Sequence, residues 1–363
     1  MVPDAVIVYP PANADMFTLN AKLTTVHDLG LDGAYLGQTG TSRGIVVTNA
    51  YVRLSSLFIN AFNGNGVDFT TANSVGGHAT NVDIRNCQGH GVNISTTSYD
   101  NDFTSVNIGS SGLSGLQTAA ADTAATLLHS WGNGTLGTAA DAAGVKLSGA
   151  VNACRFGTCY FENNFGAGVY GANSGNTGHT FSNCLMWKNR SQGLYMFSAK
   201  WIMLTGCTIF DNGQANGSAS GSTGATNDTG TGWTVTGNVF YDDQGTKTQT
   251  YGYYELNTVT ASVISGNVMR AADHKTGSSI ITGATNVPAA NPTGNTHTTT
   301  TVDGMTSTTG IQVGMTITGS GVQGGLDRVE HVDHALARDH INTERDAADH
   351  RSGDGFNERD LMP

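Results

Sequence analysis

A pattern that recurs about every 25 residues is the feature that most constrains this chain. The stretches "GTCYFENNFGAGVYG" (residues 157–171) and "SNCLMWKNRSQGLYMF" (residues 182–197) align with an offset of 25, which places Cys184 on Cys159 and Gly193 on Gly168. With Cys159 as position zero, the register extends to Leu57, Val82, Val106, Cys159, Cys184, Cys207, Asn238 and Asn267. The gap of 53 residues between Val106 and Cys159 predicts one further copy.

Two apolar columns accompany position zero. Three residues before it stand Leu54, Ala79, Phe103, Phe156, Phe181, Leu204, Val235 and Ile264, and two residues after it stand Ile59, Ile84, Ile108, Phe161, Met186, Ile209, Phe240 and Met269. Apolar residues at positions zero and +2 have the period of a strand rather than of a helix. A glycine nine residues after zero in the regular copies supplies the backbone freedom that a sharp turn requires. Each copy is therefore predicted to be one coil of a solenoid that buries these columns.

The composition agrees with short strands and tight turns. The chain has 363 residues, with 49 glycines and 6 prolines, and its 12% of charged residues is about half the usual fraction. The net charge of −11 argues against nucleic acid as a partner. No apolar run approaches the length of a membrane span, so no membrane partner is expected. The start, "MVPDAVIVYPPANAD", lacks the basic and apolar regions of a secretory signal, so none is expected.

With these repeats, the chain resembles the right-handed parallel β-helix proteins of the pectate-lyase-like superfamily over roughly residues 25–285. The superfamily includes pectate lyases, polygalacturonases, epimerases and phage tailspike depolymerases, and the likeness is greatest to the tailspikes. The fold class implied is all-β, a solenoid of about ten coils whose adjacent strands pair in parallel about 4.8 Å apart. The resemblance also implies a polysaccharide substrate, an extracellular or virion-associated location, no cofactor for a hydrolase, and a homotrimer as a candidate assembly.

Four segments are predicted along the chain: a lead-in or cap (1–24), the β-helix (25–285), a Thr/Gly-rich β segment with the alternation "IQVGMTIT" (286–325), and a charged tail (326–363). Two stretches interrupt the repeat. Residues 119–147 have no clean register, and residues 213–232 form a Gly/Ser/Thr-rich loop inserted into one coil. Insertions in solenoids lie on one face, often the binding face, although a tolerated flexible loop is the alternative.

Three features receive structural interpretations. Position +5 holds Asn164, Asn189, Asn212 and Asp243 in four coils, which resembles the asparagine ladders of parallel β-helices. Position zero holds Cys159, Cys184 and Cys207, which are predicted to be buried and reduced, because thiols in an apolar column behave as small apolar residues. His90, in "QGHGV", is predicted to be a turn histidine.

Outward positions +3 and +4 supply the candidate site, because acids and aromatic residues concentrate there between Glu162 and Asp243. Two carboxyl groups cleave glycosidic bonds, one as acid and the other as base or nucleophile, and inverting enzymes place them about 6.5–9.5 Å apart. The predicted catalytic residues are Glu162 as the acid, with Asp211 or Asp242 activating water. The predicted substrate-binding residues are Trp187, Lys188, Tyr241 and Asp243.

Three functional classes stay open at this stage: a glycoside hydrolase, a non-catalytic glycan-binding adhesin or phage fibre segment, and a polysaccharide lyase or epimerase. A lyase needs a base such as histidine, and carboxylates that hold a cation. Position −4 offers Arg53, His78, Asp102 and Arg155 for that chemistry. Asp100 and Asp102 would then be candidate Ca²⁺ ligands, although Asp-rich turns of this kind also form without metal. No other metal site is predicted.

Overall fold

The computed structural model describes residues 6–8, 14–33, 40–70, 73–138, 140–171, 173–215, 222–257, 259–270, 295–296 and 302–303. The chain divides into two units, Met1–Asn286 and Val287–Pro363. The described residues form strands and turns and contain no helix. That part of the chain therefore has no helix that is long and apolar enough to cross a membrane.

Two parallel sheets run the length of the first unit. Sheet A begins with β1 (Val6–Val8) and one long strand in each of the first four coils, and its later coils carry two short strands each. Sheet B has one strand per coil, starting with β2 (Phe17–Leu19). The long strands of sheet A are β3 (Thr25–Asp32), β5 (Arg53–Asn60), β7 (His78–Arg85) and β9 (Asp102–Gly109).

The short strands of sheet A, two per coil, are β11 (Ala124–Thr126) and β12 (His129–Trp131), β14 (Arg155–Gly157) and β15 (Tyr160–Glu162), β17 (Thr180–Ser182) and β18 (Leu185–Trp187), β20 (Met203–Thr205) and β21 (Thr208–Phe210), β23 (Thr234–Thr236) and β24 (Val239–Tyr241), β26 (Val263–Ser265) and β27 (Val268–Arg270). The remaining strands of sheet B are β4 (Ile45–Val47), β6 (Val67–Phe69), β8 (Val92–Ile94), β10 (Leu116–Thr118), β13 (Val145–Leu147), β16 (Val169–Gly171), β19 (Leu194–Phe197), β22 (Thr223–Asp228) and β25 (Tyr251–Leu256). Each strand pairs in parallel with its counterparts one coil before and after, so the sheets make a solenoid of about ten coils. The predicted parallel β-helix is confirmed.

The bend within sheet A lies at one position of the repeat. The residue just before position zero has a positive φ in every coil, at Asp28, Ser56, Asn81, Ser105, Leu127, Thr158, Asn183, Gly206, Gly237 and Gly266. A left-handed backbone costs a non-glycine residue free energy, so the packing of the coils must impose it. The second half of sheet A, which carries positions +1 to +3, is thereby turned into a face of its own.

The predicted apolar columns line a continuous interior. Leu54, Phe103, Phe156, Phe181 and Leu204 are buried, as are Ile59, Ile84, Phe161, Met186 and Ile209. The rings of Phe156 and Phe181 stack one coil apart, with centroids 5.3 Å apart and planes at 5°. Burial of each such side chain contributes about 1.5–3 kcal/mol, so the columns are the main source of cohesion between coils.

The additional copy predicted between Val106 and Cys159 is the coil whose strands in sheet A are β11 and β12. Its strands pair in register with β9 on one side and with β14 and β15 on the other. Leu128 occupies position zero, Ala125 position −3 and Ser130 position +2, and all three are buried. The sequence showed no clean register there because alanine and serine stand where the other coils have large apolar residues.

A ladder of stacked amides continues through the interior at position +5. Asn133, Asn164, Asn189 and Asn212 each donate from Nδ2 to the side-chain oxygen of the next member, at 3.0 Å each time. The final acceptor is Gln249 Oε1, so the prediction is confirmed for the three asparagines and wrong for Asp243. Residues 243–248 are extra residues in that coil, and they shift the stacking position to Gln249.

Replacing Asn189 by Leu is expected to lower the free energy of unfolding by about 2 kcal/mol, because buried partners of its amide would lose their hydrogen bonds. Asn189 Oδ1 accepts from Asn164 N and Nδ2, and its Nδ2 donates to Phe161 O at 2.9 Å. Denaturant unfolding of the variant measures the loss. Asn173→Leu, at an exposed turn, is the matched control, and equal losses in the two variants would contradict the assignment.

All five cysteines are buried and free, in agreement with the prediction for Cys159, Cys184 and Cys207. In the second unit, β28 (Asn295–Thr296) and β29 (Val302–Asp303) form an antiparallel pair. The predicted tail, 326–363, lies outside the described residues. The proposed boundaries at 24, 285 and 325 stay predictions.

Candidate functional site

Five outward side chains from five consecutive coils form a line along the second half of sheet A, here named the +3 row. It consists of Trp131, Glu162, Trp187, Phe210 and Tyr241, each in register with the next. The central residue of each of these strands is buried and its neighbours are partly exposed, with Tyr160 the most exposed of them at 43%. Because side chains alternate along a strand, the +3 residues face outward at intervals of about 4.8 Å.

Glu162 is hydrogen-bonded to a histidine on the neighbouring coil. His129 Nε2 lies 2.9 Å from Glu162 Oε1, and the side chains are 39% and 18% exposed respectively. The His129 ring packs edge-on against Tyr160, with centroids 5.8 Å apart. The pair therefore places a carboxyl group and an imidazole, two side chains that act as general acids and bases in enzymes, on one solvent-accessible face.

A network on the preceding coils anchors Trp131, the neighbour of Glu162. The indole Nε1 of Trp131 donates to Asn107 Oδ1 at 2.9 Å, and Asn107 Nδ2 donates to Asp83 Oδ1 at 3.2 Å. Asp83 also accepts two hydrogen bonds from Arg85, at 2.8 and 2.7 Å, and the Arg85 guanidinium lies 5.8 Å from the Trp131 ring centroid. The indole N–H is thus held by Asn107 and the ring face is covered by Arg85, so Trp131 has a fixed position beside Glu162.

Three aromatic rings make the opposite wall. Trp187 and Phe210 have centroids 5.3 Å apart with planes at 26°, and Phe210 and Tyr241 have centroids 4.4 Å apart with planes at 11°. Rings this close and this nearly parallel are stacked face to face along the solenoid axis, so they turn their edges to solvent. Lys188 Nζ lies 4.7 Å from the centroid of Trp187. The predicted substrate-binding residues therefore form a ridge rather than an open aromatic surface.

Asp211, at position +4, lies two coils from Glu162 and is mostly buried. It has a left-handed backbone with φ of 54°, and its Oδ1 accepts the N–H of Asp243 at 3.0 Å. Burial raises the pKa of the Asp211 carboxyl; the Asp243 N–H opposes this rise, and the neighbouring Asp242 carboxylate adds to it. Asp211 is the predicted site residue whose surroundings favour a retained proton.

Asp242 does not share the outer face predicted for it. The side chain is fully buried, and its oxygens accept backbone N–H groups of Gln244 at 3.0 Å and of Thr248 and Gln249 at 2.7 Å. A carboxylate with three backbone donors organises the turn that carries those donors. The expectation that Glu162, Asp211 and Asp242 project together is therefore wrong for Asp242, because the extra residues 243–248 fold over it.

The surroundings of the +3 row also differ from prediction at the proposed loop. Asp243 and Lys188 are exposed beside the row. Within residues 213–232, however, residues 223–228 form β22, a buried strand of sheet B in register with β19 and β25. That stretch is therefore part of a regular coil rather than a loop bordering the site, and residues 216–221 lie outside the described residues.

The alternative face at position −4 is formed as the register predicted. Arg53, His78, Asp102, Ala124 and Arg155 are successive neighbours along sheet A. His78 Nδ1 is 3.8 Å from Asp102 Oδ2, and both side chains are exposed. Within the described residues, no group of three or more His, Cys, Asp or Glu side chains is arranged to hold a metal ion. The Ca²⁺ expected for a lyase stays a prediction.

His129, Trp131 and Tyr160 were missed in the sequence. His129 and Trp131 belong to the additional coil, and with Leu128 at position zero they fall at +1 and +3, which would have revealed them. Tyr160 stands at +1 of a coil already recognised, and its proximity to His129 follows from the same register. His90 is buried just before β8, and its Nδ1 has no hydrogen-bond partner.

No protein-family model matches the chain, and no curated protein sequence matches it. Among solved structures, the enzymatically active domain of tailspike protein 2 from bacteriophage CBA120 matches with a TM-score of 0.55 and 13% identity, covering 72% of this chain and 42% of that chain. Full-length tailspike protein 2 from the Escherichia coli O157:H7 bacteriophage CAB120 matches with the same TM-score and identity, covering 72% and 38%.

This chain has a tailspike-like parallel β-helix fold. The predicted resemblance to phage tailspikes is thereby confirmed for the fold. The chain spans about two fifths of the length of these two tailspike chains, 42% of the first and 38% of the second. At 13% identity the likeness concerns the path of the backbone and does not extend to an activity.

Proposed function

We propose that the β-helix cleaves a polysaccharide bound along the +3 row, as a glycoside hydrolase with Glu162 at its centre. The observation that carries this proposal is the position of Glu162: it is bonded to His129 and stands between Trp131 and the Trp187–Phe210–Tyr241 ridge. A linear polymer laid along the solenoid axis would meet one +3 side chain about every 4.8 Å. The tailspike-like fold, whose relative is described as an enzymatically active domain, adds support.

The second carboxyl group of the proposed reaction is Asp211. Two coils separate it from Glu162, roughly 10 Å along the axis, and side-chain reach brings such a pair within the 6.5–9.5 Å typical of inverting enzymes. The raised pKa of Asp211 suits it to protonate the glycosidic oxygen as the bond to the anomeric carbon breaks. Glu162 would then accept the proton of the water that attacks that carbon. These roles reverse the sequence-based assignment of Glu162 as the acid.

A lyase is the second candidate, and the observation that favours it is the His129–Tyr160 contact beside Glu162. Elimination removes a proton next to a uronate carboxylate, and imidazole and phenolate groups are suitable bases. A glycan-binding adhesin that uses the same row without cleavage is the third. The site residues alone favour the hydrolase, since two carboxyl groups in different environments are present.

Incubation of the purified chain with bacterial capsular polysaccharides, alginate and polygalacturonate tests the three candidates. New reducing ends without ultraviolet absorbance would support hydrolysis, and absorbance of an unsaturated uronate would support elimination. Retained binding without either product would support the adhesin. Failure to bind or cleave any of these polysaccharides would contradict the proposed function altogether.

The proposed setting is a virion or the extracellular space, and the proposed assembly is a homotrimer. The support for both is the match to phage tailspike proteins. Light scattering at micromolar concentration tests the assembly. A monomer would remove that part of the proposal and leave the +3 row unaffected, because every residue of the row belongs to one chain.

A further inference from the structure

A tryptophan at one corner of the solenoid is exposed in an unusual way. Trp201, at position −6, is 61% exposed, and its backbone has a left-handed φ of 55°. Position −6 is left-handed in the other coils too, from Tyr51 to Ala261, so this φ belongs to the corner of the solenoid and the exposed ring is what distinguishes Trp201. Trp201 lies outside the +3 row, and neither of the roles proposed above uses it.

The Trp201 ring lies flat on the glycine of the next coil. A Cβ added to Gly232 would stand 2.3, 2.5 and 3.0 Å from ring atoms Cε3, Cζ3 and Cδ2. For a planar six-membered ring, these three distances place that point above the ring plane rather than beyond its edge. One face of the indole therefore covers Gly232, and because the residue is largely exposed, the other face is open to solvent.

A second exposed aromatic residue stands near the other end of this corner. Tyr51 also occupies position −6, is 50% exposed and has a φ of 60°. A Cβ on Gly76, in the next coil, would meet its Cδ1, Cε1 and Cγ at 2.7, 2.8 and 3.8 Å, so Gly76 lies against one edge of this ring. Six coils separate Tyr51 from Trp201, which is roughly 29 Å along the axis. Two exposed aromatic residues of this corner therefore each contact a glycine one coil further on, Trp201 with its face and Tyr51 with its edge.

We infer that Tyr51 and Trp201 are two stacking platforms of a second glycan-binding surface, separate from the +3 row. The C–H bonds on one face of a sugar ring carry partial positive charge and are attracted to the negative face of an aromatic ring. An indole with one face covered and the other open offers that contact at little entropic cost, because the ring is already held. The stacked rings of the +3 row, whose edges face solvent, do not offer it.

The polar groups beside Trp201 are better suited to contact a hydroxyl-rich sugar than to contact another protein. The hydroxyl groups of Thr231 and Thr260 lie 3.0 Å apart on the next two coils, and exposed Lys200 precedes Trp201. Between the two platforms, position −6 holds Gly76, Asp100, Asp122, Ala153 and Gly178. These residues leave no continuous apolar area between the platforms, although the core of a protein interface requires one. We therefore assign the platforms to a polysaccharide chain and not to a second copy of the protein.

Binding of cellohexaose, maltohexaose and a mannuronate hexasaccharide to the full chain, measured by calorimetry and tryptophan fluorescence, tests the inference. At least one of these probes should bind, and Trp201→Ala should weaken binding about tenfold or more. Gly232→Ala should weaken it too, because the added methyl group displaces the ring while the indole is retained. Phe58→Ala, at an exposed position of sheet A, is the matched control and should leave binding unchanged.

Three outcomes would overturn the inference. They are failure of all three probes to bind, an unchanged affinity and stoichiometry of binding in the double variant Tyr51→Ala/Trp201→Ala, and a change in oligomeric mass of that variant without a change in sugar binding. The last would assign the corner to contacts between copies. The test is independent of cleavage, because Glu162→Gln should leave binding at the platforms intact whether or not the +3 row is catalytic.

Discussion

Replacing Glu162 by Gln is expected to lower the rate of glycan cleavage by about 10²- to 10⁴-fold, the usual contribution of a general acid or base. Gln keeps the size of the side chain and can still hydrogen-bond to His129, which in the native chain lies 2.9 Å from Glu162 Oε1. Glu162 is partly exposed, so the variant should unfold at nearly the native temperature. Glycan binding should also persist, because the aromatic ridge is untouched.

The measurement is the initial rate of reducing-end release from whichever polysaccharide the native chain cleaves, with thermal unfolding alongside. Asp122→Asn is the matched control, since it makes the same kind of change at an exposed turn, away from the +3 row, and should leave the rate unchanged. His129→Gln should reduce the rate by a smaller factor, because the carboxyl group remains. Native rates in Glu162→Gln would show that this row is not the catalytic site, and the Arg53–His78–Asp102 face would be tested next.

Acidification from pH 6.5 to pH 4 is expected to remove about 3 kcal/mol of stability for each of two buried histidines. Burial lowers the pKa of His90 and of His179 to about 4, from an unfolded value near 6.5. The unfolded chain therefore binds more protons than the folded chain between these two pH values. The stability is fully present above pH 6.5 and is lost as the pH falls through the folded pKa.

The geometry at His179 explains why a second proton is excluded. Its Nδ1 accepts the backbone N–H of Cys154 at 3.2 Å, so the ring is neutral with its proton on Nε2. The Nε2 atom is itself buried without a hydrogen-bond partner, and a second proton, on Nδ1, would face the Cys154 N–H rather than an acceptor. At His90, burial is assisted by the positive charge of Lys146.

Denaturant unfolding at half-unit steps of pH measures this loss as a slope. The native chain should lose stability more steeply between pH 6.5 and 4 than His179→Asn or His90→Gln, by about 1.4 kcal/mol per pH unit for each histidine removed. His78→Gln, at an exposed position, should keep the native slope. Equal slopes in all four proteins would show that neither buried histidine is kept neutral by folding.

The fold could be predicted because the apolar residues that stabilise it recur from coil to coil. Large apolar residues recur at positions −3 and +2 in most coils, and each repetition is independent evidence for the same buried column. The coil around Leu128 was the exception, since Ala125 and Ser130 carry too little apolar surface to mark it. The ladder ended at Gln249 rather than Asp243 for a related reason: the extra residues break the count, and only the three-dimensional path shows which amide takes the next place.

The candidate site was less predictable, because position in the repeat does not determine burial at the corners. Glu162 is at +3, inside a strand, and its outward direction follows from alternation. Asp211 and Asp242 share position +4, yet only Asp211 has a left-handed backbone there, and Asp242 is covered by the residues that follow it. The partnership of His129 with Glu162 depends on a coil that the sequence did not reveal.

The one-residue-per-coil construction of the +3 row has a consequence for how such a protein can change over time. Loss or duplication of a whole coil would shorten or lengthen the row by one side chain and leave the flanking coils paired as before, since each contacts only its neighbours. Substrate preference could then change by one binding side chain at a time, with little disturbance to the other coils. Lineages related to this chain should accordingly differ in coil number more readily than in the register within a coil.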